Sequence, residues 1–154
     1  MLFRSTTDWE EVTYSLYDMK TKLPTVRFKL KHALARSKHI NVVDNDDNPS
    51  KKMSLKAGFD EKIVTSVMSP DDRKAVINLF TDDVLSTIYD MFEQHPNMTE
   101  IECDNTQVVI FWEEAFYDIE KHSEIPTGDN YIEMFDVMHE VARQIGENLD
   151  NSIN

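Results

Sequence analysis

Apolar residues recur along much of this chain at helical spacing. Trp9, Val12, Leu16, Met19 and Leu23 lie 3, 4, 3 and 4 positions apart, the seam of an amphipathic helix. Thr7, with Glu10 three positions on, forms a capping box in front of it, and Pro24 ends it. Tyr14 and Tyr17 fall off the seam and are assigned to a second buried face. Val26, Leu30 and Leu34 continue at intervals of four, yet Val26 to Lys31 also alternates apolar and basic residues, so helix and strand both fit there. Ile40–Val43 reads as a short strand, and Asp44–Lys52 as an exposed loop rich in turn formers.

Beyond Gly58, Asp60 is expected to cap a short helix carrying Ile63, Val64, Val67 and Met68. Ser69-Pro70-Asp71-Asp72 is the strongest local signal, with a capping serine, a proline at the first helical position and acids in the first turn. The stripe Val76, Phe80, Val84, Ile88 and Phe92, with Ile77 beside it, predicts one long helix or two broken near Thr81. Ile101–Cys103 and Val108–Trp112 flank Asp104–Gln107 and read as a hairpin, its second run buried on both faces. Glu113 to Glu120 fits one or two acidic helical turns. A last helix runs from about Asn130 to Leu149, with Ile132, Phe135, Met138, Val141, Ile145 and Leu149 on one face and a fraying tail after it. The fold class expected is α+β: four to five helices on a small, mostly antiparallel sheet that includes the 101–112 hairpin. A chain of 154 residues fits a single domain, 1–154.

Charge changes this picture more than composition does. The net charge is −13. Residues 1–60 hold 11 Lys/Arg and 8 Asp/Glu, a net +3, whereas residues 61–154 hold 5 and 21, a net −16. The chain thus divides into a basic part, 1–43, an exposed connector, 44–52, and an acidic part, 60–150. From Ala75 to Glu120 there are 11 acids and no Lys or Arg. Core-forming apolar residues are interleaved with them, so the acids must face water in a field of one sign. Asp82, Asp83, Asp90, Glu93, Glu113, Glu114, Asp118 and Glu120 are the candidate partner-binding residues. A secondary basic patch comprises Lys22, Arg27, Lys29, Lys31, Arg36 and Lys38. The bases there are outnumbered by acids that compete with phosphate. That argues against direct nucleic-acid binding and for pairing with the acidic half of the same chain.

Motifs of catalysis and ligation are missing or incomplete. His139-Glu140-Val141-Ala142-Arg143 opens like the zinc motif H-E-x-x-H, but Arg143 replaces the second ligand. The loop at Asp44, Asp46 and Asn48 imitates a calcium site, yet Pro49 stands where a glycine must turn the chain and Leu55 where the bidentate Glu belongs. His32, His39, His95, His122 and His139 have no ligand spacing. Cys103, the single cysteine, reads as a small buried hydrophobe on a strand. Three glycines leave no Gly-rich phosphate loop. No catalytic, metal or cofactor-binding residues are therefore assigned. No run approaches the roughly 18 apolar residues of a membrane span. The first residues lack a signal-peptide core, and the lone cysteine fits a reducing cytoplasm, a host's if the chain is viral.

These observations point to a non-catalytic acidic interaction protein. It would inhibit or modulate a partner with a basic surface, its carboxylates standing in for the phosphates of nucleic acid. Small acidic inhibitors encoded by viruses have this composition. Its polarised charge also permits a homodimer. Two other classes stay open: a small enzyme whose site is assembled from dispersed residues, and a nucleic-acid binder working through Lys20–Lys38.

Overall fold

The computed structural model describes residues 2–7, 10–33, 36, 52–113 and 128–153. Five strands form one antiparallel sheet: β1 (Leu2–Thr7), β2 (Glu10–Leu30), β3 (Lys52–Met53), β4 (Ile63–Val67) and β5 (Met98–Trp112). Four helices are described, α1 (Ala57–Asp60), α2 (Asp72–Leu79), α3 (Asp82–Gln94) and α4 (Gly128–Ile153). The 21-residue β2 organises the sheet. One of its edges pairs first with β1 and then with β4, and the other pairs along its length with β5.

The first predicted helix is a strand, and its sequence shows why the two were confused. Small polar residues, Thr13 and Ser15, take the core-facing positions at its start and are buried there. Ser15 Oγ accepts a hydrogen bond from Trp112 Nε1 at 3.1 Å. The strand then bulges. Asp18 to Leu23 of β2 is matched only by Gln107 to Asn105 of β5, and Leu23 to Val26 only by Asn105 to Cys103. Met19 and Leu23, four apart and so on one face of a strand, are both buried, and the irregularity between Leu23 and Val26 then moves the core face from odd to even positions. Pro24 sits in this irregular stretch, where a strand tolerates a missing N–H.

Strand β5 answers the bulge with its own kink. Asn105 adopts φ 53°, a left-handed conformation that asparagine tolerates. The alternation of β5 changes phase there: Ile101 and Cys103 face the core before the kink, Val108, Ile110 and Trp112 after it. The expected hairpin at 101–112 thus takes another form. Its two runs are collinear halves of one strand, both paired with β2 rather than with each other. Similarly, Ile63–Val67 is a strand with all five residues buried, not a capped helix. Its β-branched content suits a pleated, buried position.

Helices cover the core-facing side of the sheet. Phe28 meets Phe80 at 4.9 Å and Phe59 at 5.8 Å between ring centroids. Val84, Leu85, Ile88 and Phe92 of α3 and Met138, Val141, Ala142, Ile145 and Leu149 of α4 join this cluster. Helix α2 begins at Asp72 with Asp71, not Ser69, at the cap position; Ser69 orders the turn before it, its Oγ accepting from the Asp71 N–H at 3.3 Å while Asp72 Oδ2 accepts from the Ser69 N–H at 3.3 Å. The long stripe is two helices, broken where Thr81 is extended. Ile77 and Ile132, placed with the buried stripes, are instead exposed. Ile40–Val43, most of the 44–52 loop and Glu114 to Glu120 lie outside the described residues. None of the described helices is long and apolar enough to cross a membrane.

The expected frayed tail is an anchor. Helix α4 continues to Ile153, and Asp150 is buried. Its Oδ1 accepts from the Lys20 N–H at 3.3 Å and from Thr21 Oγ at 3.2 Å, pinning the β2 bulge to the helix. One turn earlier, Gly146 lies against the Tyr17 ring, and a Cβ added there would overlap that ring. Gly146→Ala should therefore destabilise the protein by about 1–3 kcal/mol through overpacking, despite a helix-propensity gain of about 1 kcal/mol. Urea unfolding measures this, and adding Tyr17→Ala should relieve part of the loss.

Candidate functional site

The basic run does not form one surface. Arg27 and Lys29 alternate with Val26 and Phe28, so they point to the sheet face away from the core cluster, and both are 0% exposed. Each has an acid beside it on β5: Arg27 is the cross-strand partner of Glu102, and Lys29 of Glu100. Glu100 and Glu102 are buried as well. On the β4 side, Arg27 Nη2 donates to Ser66 Oγ at 3.5 Å, while its Nε and Nη1 have no hydrogen-bond partner. Lys29 Nζ donates to Ala33 O at 2.7 Å. The backbone N–H of Arg36 donates to Glu100 Oε2 at 2.6 Å, and its Nη2 pairs with Glu113 Oε1 at 3.1 Å. Lys22 and Lys31 are exposed, and Lys38 lies outside the described residues. The centre of the run is thus a buried two-by-two charge ladder.

The acids of α3 have a different fate. Asp82, Asp83, Asp90 and Glu93 are exposed, opposite the face that carries Val84, Leu85, Ile88 and Phe92 into the core. Glu93 Oε1 accepts from Lys62 Nζ at 2.6 Å. That bond, and a second to Tyr89, raises the Lys62 pKa. Lys56 Nζ lies 4.0 Å from Asp82. Glu113 belongs to the sheet face through Arg36, and Glu114, Asp118 and Glu120 are not among the described residues.

Helix α4, packed beside α3, supplies four further exposed acids that the sequence reading passed over: Glu133, Asp136, Glu140 and Glu147. Their signal was present, since spacings of 3, 4 and 7 keep them near one side of a helix. Arg143, the one Lys or Arg of these two helices, is engaged by Glu140 and by Glu147, the latter at 2.6 Å. With Gln144, it pulls the Glu140 carboxyl down to about 2. Among the described residues no cation lies within ion-pair distance of Asp83, Asp90, Glu133 or Asp136.

Titratable groups elsewhere are shaped by burial. Burial pushes the Cys103 thiol well above its usual range, and the neighbouring charges of Glu102 and Asp104 add to this. His95 stands edge-on to Trp112 at 5.9 Å, and burial lowers its pKa. No group of three or more His, Cys, Asp or Glu side chains able to hold a metal occurs among the described residues. Surface cavities of about 270, 260, 190 and 170 Å³ are present, below the roughly 300–1,000 Å³ of typical small-molecule sites. No family model, curated protein or solved structure matches the chain.

The ladder carries a stability prediction. Glu102→Leu removes the acid beside the buried Arg27, whose Nε and Nη1 already lack hydrogen-bond partners, and should cost about 1–3 kcal/mol. Arg27→Met combined with Glu102→Leu should recover most of that loss. A double-mutant cycle by chemical denaturation measures the coupling.

Proposed function

We propose that this chain is a non-catalytic interaction protein that docks the carboxylate-bearing surface of α3 and α4 on a basic surface of a partner protein. The observation that carries this reading is the eight exposed acids of the two neighbouring helices. Their one Arg is already shared by two of those acids. Carboxylates kept in water at helical spacing hold their charge without loss to the fold. They present a potential that steers a cationic surface at long range. Acids repeated along a helix can stand in for nucleic-acid phosphates, so a protein surface that normally holds nucleic acid fits this role, and occupying it would inhibit or modulate that protein. The burial of Arg27 and Lys29 speaks against the alternative of nucleic-acid binding through Lys20–Lys38, because phosphate contacts need accessible cations.

The tagged full chain should retain one stoichiometric protein from lysate at low salt, in the presence of nuclease. Physiological ionic strength should weaken retention. Changing Asp83, Asp90, Glu133 and Asp136 together to Lys should abolish it while circular dichroism stays unchanged. Retention indifferent to both salt and charge reversal would overturn the reading.

A further inference from the structure

A groove of about 260 Å³ opens on the acidic surface between α1 and α3. Its floor is apolar, with Phe59 and Leu85 both buried. Tyr89 forms part of the wall, and the exposed carboxylates of Glu61 and Asp90 stand at the rim. Gly58 leaves the mouth open, since a Cβ built there meets nothing within 4 Å.

We propose that this groove receives an arginine side chain of the partner protein; the inference rests on the docking reading above. Three observations select that occupant. First, charge: the groove is lined by two acids, Glu61 and Asp90, and one base, Lys56, which lies 4.0 Å from Asp82, while the nearby Lys62 is bonded to Glu93. Second, Tyr89 already receives a cation within the molecule. Lys62 Nζ lies 5.4 Å from its ring centroid while bonding to Glu93, one helical turn on. Third, shape: an aliphatic stem can lie on Phe59 and Leu85, its planar head against Tyr89 and its fork on the Asp90 carboxylate. Guanidinium groups both stack on aromatic faces and bind carboxylates through two parallel hydrogen bonds, which an ammonium cannot do. Long basic side chains also bury their stems while the charge stays at the wet end.

The test is an NMR titration of the full chain with the peptide acetyl-Gly-Arg-Gly-amide and its norleucine counterpart. The arginine peptide should shift the side-chain signals of Tyr89 and Leu85 saturably, and the norleucine peptide should not. Gly58→Leu adds an apolar side chain at a lining position without changing charge, where a Cβ meets nothing within 4 Å, and Asp90→Asn removes the rim carboxylate. Each should weaken binding about tenfold or more, a loss of about 1.4 kcal/mol. Tyr89→Phe, which keeps the ring, should retain it. Binding insensitive to Gly58→Leu, or shifts confined to other signals, would overturn the groove. If an octalysine peptide still bound at low salt in that case, the broader acidic-surface reading would stand. Failure of both peptides to bind would overturn the two together.

Discussion

Everything in this molecule leans on the pairing of β2 with β5. The two strands run antiparallel from Thr13↔Trp112 to Lys29↔Glu100, and near the second end both faces of the sheet are buried. The apolar face is stabilised by packing against α3 and α4. The other face carries Arg27 and Lys29 beside Glu102 and Glu100, and removing such charges from water costs several kcal/mol per ion unless opposite charges are matched. The register of β2 on β5 sets Arg27 beside Glu102 and Lys29 beside Glu100. A slip of one residue would send Val26 and Phe28 to the charged face and Arg27 and Lys29 into the hydrophobic core. The charge pattern and the hydrophobic pattern therefore specify the same register.

This pairing also explains the division of charge along the chain. The basic N-terminal part does not face the acidic part across a solvated surface. Its central bases are buried between the strands, next to two acids of the 75–120 run, and Arg36 takes a third, Glu113. The acids left over are chiefly those on the helices, where the fold gives them few cations.

Much of the helical part was legible in the sequence, because α2, α3 and α4 bury one apolar stripe each. Thr81 marked a boundary that the chain uses, and Ser69 the turn just before one. The strands were less legible, for physical reasons. The core face of β2 begins with Thr13 and Ser15, held by a hydrogen bond from Trp112 that no local pattern reveals. Its bulge is fixed by Asp150, some 130 positions away. Asn105 resembles a hairpin turn because its left-handed backbone is real, but it kinks a single strand. Of the candidate acids, those of α3 were found because that run holds no base. Those of α4 give a weaker signal, because they share their helix with Arg143, which Glu140 and Glu147 engage.

Charges buried within the sheet are thus separate from the carboxylates exposed on α3 and α4. The stability of one variant tests that separation most directly: Asp83→Asn, Asp90→Asn, Glu133→Gln and Asp136→Asn combined, measured by urea denaturation at low and at high salt. If these acids only repel one another in the folded state, the variant unfolds at the same or a higher urea concentration than the parent at low salt. The difference then closes as salt screens the repulsion. A variant less stable than the parent at both salt concentrations would show that these carboxylates support the fold, contradicting the assignment of this surface to a partner.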